Sequence, residues 1–592
     1  MWQQSTNPLH QLMASAGLAL LPILVLFALL ISRKVAGHIA AVCTLVVALL
    51  VAILAFGMPV KLAALSALYG MVNGLFPIGW ILIAAVFLYN LSVKSGSFAT
   101  VTRSIESITA DRRLQALLIA FCFGAFLEGC AGFGAPVAIT TGMLVGLGFQ
   151  PLYAASICLL ANSAPVAFGS IGIPIVTAGQ TSGVDPVLIG RMVVHQLPVL
   201  TMILPFWLII LISGWKGAKE VWPAILVTAV SYTLTMFLVA EYLGPSLPNI
   251  LSSLVSIVCL VLFLRVWKPK NIWRFPQEEA YAAPTDRVHT SFAEQVRAWT
   301  PFVLLILFVS NWGAAGIKAR LDTATVKIPV SGLDGVIHAG AKALAVIYSF
   351  GWLSAAGTAI FLAAGLTALL LRMPARQVGE VVGETMQRLR NPLITICSIV
   401  GFAYLANYAG MSIALGSALT VSGHFFPLLS PLVGWIGVFV SGSDTAANAL
   451  FSNMQRTTAS HLGLNPILTI AANTDGGVTG KMISPQSIAV AAASSKLIGQ
   501  EGQLFRMTLP HSLGLLSIVC VITYLQAYHL QGMVPAMPAA ALAAVKVGIV
   551  PLGVGDLTVL AVSVLVLGML AYFNAASARK RTHLDQSTPA AN

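Results

Sequence analysis

Apolar runs of roughly 20 residues recur along the whole length of this chain and restrict its fold more than any other feature of the sequence. A run of that length matches a helix crossing a hydrocarbon core about 30 Å thick at about 1.5 Å per residue. Only 9% of the residues are charged and 58% are hydrophobic, too little charge to cover a soluble surface. The expectation is an all-α polytopic membrane protein with the lipid bilayer around it. The net charge of +13 therefore does not suggest nucleic acid. Lys and Arg cluster instead in short loops between apolar runs, as the cytoplasmic-side bias of membrane proteins predicts. The seven cysteines, at 43, 122, 130, 158, 259, 397 and 520, all fall within apolar segments. An odd, buried set reads as packing residues rather than disulfides or a metal site. Met1 to His10 carries no Lys or Arg and resembles no signal peptide, and no lipidation motif is present.

Two stretches rich in Gly, Pro and hydroxyl residues interrupt these runs where a soluble loop has no place. The first is Phe126-Leu-Glu128-Gly-Cys-Ala-Gly132-Phe-Gly134-Ala-Pro136, followed by Asn162-Ser163-Ala164-Pro165 and Ile173-Pro174. The second is Val440-Ser-Gly-Ser443-Asp444-Thr445-Ala-Ala-Asn448, followed by Asn473-Thr474-Asp475-Gly476-Gly477 and Ser484-Pro485. Non-helical backbone at membrane depth is tolerated only where protein buries it or water reaches it. Paired breaks at matching places in two halves point to a transporter's binding site.

Taken in order, spans are expected near 15–32, 37–56 and 70–93, then an amphipathic connector from Thr100 to Arg113. Apolar arms at about 115–127 and 133–147, each near 20 Å long and too short to span, make a re-entrant hairpin over 115–147. Residues 152–176 read as a helix broken at Asn162–Pro165 and again around Gly169–Pro174. Spans near 193–213, 220–241 and 249–266 follow, and 1–267 holds the first repeat plus two intervening spans. Residues 268–298 read as a cytoplasmic linker. The second repeat, 299–530, has spans at about 299–313, 347–371 and 391–410, a hairpin over 432–463, a broken helix over 467–495 and a span at 509–529. Residues 531–592 supply an outer loop, a last span at about 552–574 and the basic tail Arg579-Lys580-Arg581.

The halves agree in spacing. Glu128 to Pro151 is the same interval as Ser443 to Pro466, and Asn162 to Pro174 matches Asn473 to Pro485. The positive-inside distribution puts Arg33-Lys34, Arg103, Arg112, Arg113, Lys216, Lys219, the 268–298 linker, Arg372 to Arg390, Lys496 and Arg506 in the cytoplasm. Lys318, Arg320 and Lys327 run against it on an outer loop. The first hairpin then enters from inside and the second from outside, so the repeats are inverted. About 13 crossings result, with the C-terminus cytoplasmic.

Glu128 and Asp444 are the residues most costly to hold at mid-membrane depth unless neutralised or paired. Either can take a proton and release it when water arrives, the chemistry of a proton-coupled carrier. The bland alternative is a neutral acid holding a hairpin tip shut. Asn162, Ser163, Asn473 and Thr474 are expected at helix breaks beside free backbone N–H groups, which suit a carboxylate. Ser443 and Thr445 join them as hydroxyl donors. Gly132, Gly134, Gly476 and Gly477 would let backbone approach an anion closely. Lys481 suits pairing with a substrate carboxylate or with Asp475. His195, beside Arg191 near the start of a span, is the remaining proton-carrying candidate, though a lone His there reads more readily as interfacial.

Gly124-Ala-Phe-Leu-Glu128-Gly-Cys-Ala-Gly-Phe-Gly-Ala-Pro-Val-Ala-Ile-Thr140, Asn162-Ser-Ala-Pro-Val-Ala-Phe-Gly169, Val440-Ser-Gly-Ser-Asp444-Thr445 and Gly477-Val-Thr-Gly-Lys481-Met-Ile-Ser-Pro-Gln486 resemble the bacterial L-lactate permease family, with the glycolate permeases as relatives. The resemblance implies secondary active uptake of L-lactate and glycolate with protons across the inner membrane, without cofactor. The two-hairpin plan also resembles elevator-like carriers. Asp475 departs from the family pattern, in which a second Thr is expected, and would oppose an anionic substrate unless protonated or paired with Lys481. A sodium-coupled carboxylate symporter of the same architecture is the alternative. A channel fits facing broken helices poorly, and no nucleophile–base pair or metal cluster at usable spacing supports an enzyme. The oligomeric state is left open.

Overall fold

The computed structural model describes residues 1–31, 35–106, 108–132, 134–275, 291–339, 342–536, 562–563, 565–571 and 574. The basic pair Arg33-Lys34, Phe133, the linker's 276–290 segment, most of the expected last span and the basic tail lie outside them. Among the described residues, ten helices are long and apolar enough to cross a membrane, or eleven if one bent pair is counted as a span. The ten include Arg112–Cys130 and Met411–Ser441, which hold arms of the two expected hairpins, and leave out both expected broken helices; three further features separate them from the expected crossings. The helix Pro198–Tyr242 is 45 residues long and bends at Gly214 (φ 68, ψ −178), so at about 68 Å it suffices for two crossings. Ala356–Leu370 has only 15 residues. The last span is represented by a few residues: Asn574 donates to the Thr300 hydroxyl, and Leu570 packs with Leu304 and Ala363.

The chain is not purely helical. Val326–Pro329 pairs antiparallel with Ile347–Phe350. Ile337–Ala339 pairs antiparallel with Lys342–Ala343 and parallel with Trp2–Gln3. The expected span at 347–371 therefore starts late, at Ala356. Its first residues, Ile347-Tyr-Ser-Phe350, alternate in exposure along a strand, a two-residue period that a hydropathy window averages away.

The spans sort into two packed groups. A frame consists of Leu12–Ile31, Gly37–Leu54, Val60–Lys94, Phe292–Gly313, Ala356–Leu370 and Ala375–Ala409. The second group holds both interrupted stretches, together with Pro198–Tyr242, Pro248–Val266 and Glu501–Tyr528. We label nine elements in chain order. α1 is Arg112–Cys130, α2 is Ala135–Gly146, α3 is Pro151–Ala161 and α4 is Gly169–Ser182. The frame helix Ala375–Ala409 is α5. α6 is Phe426–Ser441, α7 is Asp444–His461, α8 is Pro466–Gly480 and α9 is Pro485–Ser494.

α1 and α2 turn back on one another across 131–134, with Gly132 and Gly134 at φ 53 and 84. α1 has 19 residues, longer than the expected arm, because its helix continues through Glu128 to Cys130. Its base is fixed by the fully buried Arg113, whose guanidinium bonds both Asp111 oxygens, Glu220 Oε2 and the Gly217 and Asn271 carbonyls. A buried charge needs such full pairing. α3 and the stretch Val166–Ser182 meet at 65°. α6 and α7 turn at Gly442-Ser443, where Gly442 takes φ 71 and the Ser443 hydroxyl accepts from the Ala446 N–H as a helix cap. α8 ends at Gly480, and Ser484 caps α9 ahead of Pro485.

Candidate functional site

The two interrupted stretches meet around a small cavity of about 40 Å³. Its lining is Glu128 from α1, Val166, Gly169, Ser170 and Pro174 from the first broken helix, Gly442 to Thr445 at the turn into α7, Lys481, and Gln486 from α9. α4 packs on α7 and α2 on α9, so each half closes against the other.

Charge is concentrated here. Glu128, Asp444 and Lys481 are all buried. The Lys481 ammonium donates to the Gly442 carbonyl oxygen at 2.6 Å, at the C-terminal end of α6, where a cation suits the helix dipole. That same ammonium lines the cavity together with Glu128 and Asp444. Glu128 Oε2 accepts from the Asn162 side-chain amide at 3.0 Å. Asp444 Oδ1 has no hydrogen-bond partner among the described residues, and Oδ2 has only the Asn448 amide at 3.5 Å. Ser443, Asp444 and Thr445 form the first turn of α7 and Gln486 lies in the first turn of α9, so two helix N-termini open on the cavity. Their free N–H groups carry partial positive charge.

The backbone here is unusual. Ser170, Ile171 and Gly172 all take left-handed conformations, at φ 44, 62 and 77. A β-branched residue in that region is an outlier. A Cβ on Gly172 would lie 2.3 Å from the Pro245 carbonyl oxygen, so glycine is required there by space as well as by φ.

Of the residues singled out in the sequence, Glu128, Asp444, Ser443, Thr445 and Lys481 line the cavity. Asn162 reaches it only through Glu128, and Ser163 turns its hydroxyl toward the Leu159 carbonyl at 3.5 Å. Both stand at the C-terminal end of α3, where carbonyls rather than N–H groups are left over, which corrects the expected half-helix N-terminus. Asn473 and Thr474 correct it too: they lie within α8, and the second break falls at Lys481–Ser484. Their side chains both donate to Asn448 Oδ1, at 2.9 and 3.0 Å, so the helix runs through them with its polar groups satisfied. Gly476 and Gly477 do not break α8. A Cβ on Gly476 would meet the Pro431 carbonyl oxygen at 1.9 Å, and one on Gly477 would meet Asp444 Oδ1 at 2.4 Å. Gly132 lies against the Ser170 hydroxyl and Gly134 against Val490, so these glycines permit close packing and do not line the cavity.

Asp475 is fully buried near Asp444, with neither carboxyl oxygen partnered among the described residues. No ion pair joins it to Lys481, whose ammonium is turned to Gly442. His195 is not at the cavity. It bonds the Met533 carbonyl oxygen, lies 3.9 Å from Glu241 and stacks on Phe237. Three contributors were not singled out: Ser170, Gln486 and Asn448. Asn448 joins Asn473, Thr474, Asp444 and the Pro174 carbonyl. Its signal was the four-residue spacing from Asp444, one helical turn along α7.

The sequence pattern of the L-lactate permease family matches residues 15–530. The L-lactate permease of Escherichia coli (strain K12) is 47% identical over 549 residues, covering 90% of this chain and all of that protein. The glycolate permease GlcA of the same organism is 46% identical over 554 residues, covering 90% of this chain and 99% of its own length. Among solved structures, Neisseria gonorrhoeae MtrF, described with a class of antimetabolite efflux pumps, aligns with a TM-score of 0.43 at 15% identity, covering 79% of this chain and 85% of that one. The relatives are permeases rather than enzymes, and this chain is a multi-pass membrane protein that belongs to the L-lactate permease family.

Proposed function

We propose that the protein imports L-lactate and glycolate with a proton across the bacterial inner membrane, using inverted repeats that work as an elevator-like carrier. The observation that carries this reading is one ammonium, Lys481, lining the same cavity as two buried carboxyl groups, Glu128 and Asp444, where the two interrupted stretches meet. With both carboxyls ionised, these three groups sum to one negative charge and repel a carboxylate. A proton on either acid makes them neutral, and the substrate anion is admitted beside Lys481 and the N-termini of α7 and α9. Substrate and proton therefore enter together, and the transfer of lactate with one proton is electroneutral. A cavity of about 40 Å³ is far below the roughly 300–1,000 Å³ of ligand pockets, so binding requires the two stretches to part.

The test is uptake of radiolabelled L-lactate into proteoliposomes under an inward proton gradient without sodium, comparing wild type with Asp444→Asn and Glu128→Gln. Lactate exchange at equal pH on both sides is measured alongside. The expected result is gradient-driven uptake lost in one variant whose exchange survives, which identifies the proton carrier. Uptake that appears only when sodium is added would overturn the proton reading.

A further inference from the structure

We propose that a second cleft, centred on Arg456 at the far ends of α4 and α7, is an outer waiting site for the same class of substrate, small 2-hydroxymonocarboxylates. The cleft has a volume of about 550 Å³, within the roughly 300–1,000 Å³ typical of ligand pockets. It lies beside Gln4 and the strand-bearing segment around Ala339 and Leu344, on the face that the positive-inside distribution assigns to the outside.

Its polarity selects an anion. The lining includes Arg456 and His461 but no Asp or Glu. Arg456 Nη1 donates to the Ser182 carbonyl at 2.6 Å, and no carboxylate pairs with this guanidinium among the described residues. The bond to Ser182 fixes the planar fork and leaves its Nε–Nη2 edge for a carboxylate, which that edge fits in bidentate fashion. One feature opposes this: the last carbonyls of α4 point here, and a helix C-terminus repels anions. Each of them is capped, however. Tyr404 donates to Gln180 O, Asn407 to Thr181 O and Arg456 to Ser182 O. The local field is thus left to the guanidinium. Gln180 Oε1 is a buried acceptor without a partner among the described residues, in the same cleft. A carboxylate for Arg456 and a hydroxyl for Gln180 are the two polar groups of a 2-hydroxy acid.

The cleft and the inner cavity lie at opposite ends of one helix pair. The Asn448 amide meets the Pro174 carbonyl and the Arg456 guanidinium meets the Ser182 carbonyl, each across 274 residues. α4 and α7 therefore run side by side in one parallel register from Ser170 and Asp444 at the cavity to Ser182 and Arg456 at the cleft. Along α7 the distance is twelve residues of helix, about 18 Å. Between these ends the buried hydroxyls of Thr177 and Ser452 have no partner among the described residues, so polar groups able to take a passing hydroxy acid lie on the two helices between the sites. The inference rests on the transport reading above, so its test includes a readout independent of transport.

In proteoliposomes, Arg456→Gln is expected to raise the KM for L-lactate at least tenfold with the maximal rate unchanged. Arg456→Lys, which keeps the charge but loses the fork, should fall between. Gln180→Leu should erase the advantage of lactate over propionate, which lacks the hydroxyl, as a competitor. An unchanged KM in Arg456→Gln, or a lowered maximal rate at unchanged KM, would overturn the site. Equilibrium binding of radiolabelled L-lactate to purified, monodisperse protein separates this from the transport reading. Arg456→Gln should bind one lactate fewer than wild type whether or not the protein transports, and equal stoichiometry would sink the proposal.

Discussion

Lys481 and Asp444 set the charge of the inner cavity, and each is replaceable only at a different cost. Removing one partner from a buried charge set costs about 3–5 kcal/mol. Lys481→Met should therefore lower the unfolding midpoint in detergent, and lactate uptake should fall because the cavity loses its cation. The double variant Lys481→Met with Asp444→Asn removes both charges together and should regain thermal stability in detergent without regaining uptake. Single and double variants that melt alike would show that the ammonium does not balance Asp444. Gly477→Ala is a finer probe, because its Cβ would sit 2.4 Å from Asp444 Oδ1 and 2.7 Å from Val438 Cγ2, both side-chain atoms rather than backbone. It should impair gradient-driven uptake while lowering the unfolding midpoint less than a clash with backbone does. These charged residues were legible in the sequence because an ionisable group in an apolar run is conspicuous by itself. Asn448 carried only the four-residue spacing from Asp444 as a signal: a neutral amide gains its role when α7 also brings it against α8.

Helix ends and crossings, the next scale up, were legible where proline and caps fix them and misleading where glycine stands alone. Pro165, Pro485 and the Ser484 cap mark breaks by removing donors or supplying acceptors, and breaks occur beside them. Gly476-Gly477, read as part of the second interrupted stretch, leave α8 unbroken. Glycine weakens a helix by only about 1 kcal/mol, and here α8 needs both residues to lie against α6 and Asp444. The contact is reciprocal, since a Cβ on Gly434 of α6 would meet the Asn473 carbonyl oxygen of α8 at 1.8 Å. Backbone cannot move aside as a side chain can. Gly476→Ala, aimed at the Pro431 carbonyl, should therefore lower the unfolding midpoint in detergent markedly, unlike Gly477→Ala one residue on. Equal midpoints for the two variants would contradict this packing.

The molecule as a whole divides into a frame and a group holding both interrupted stretches, and alternating access by an elevator requires contacts between the groups to break while contacts within each persist. Asn407 of α5, a frame helix, donates to the Thr181 carbonyl of α4 at 2.9 Å, across that division. Lys94 pairs with Glu384 at 3.5 Å, within the frame. Cysteines introduced in place of Asn407 and Thr181, in a background without the native cysteines and joined by a short bifunctional reagent, should stop lactate uptake. The same reagent joining cysteines in place of Lys94 and Glu384 should leave uptake within about twofold of the uncrosslinked protein, because surface pairs contribute little. Reduction of a cleavable crosslinker should restore the first variant, which separates arrest from damage. Undiminished uptake with Asn407 and Thr181 fully joined would mean that α4 does not slide along α5, and would remove the elevator from the proposed mechanism while leaving the inner cavity as the binding site.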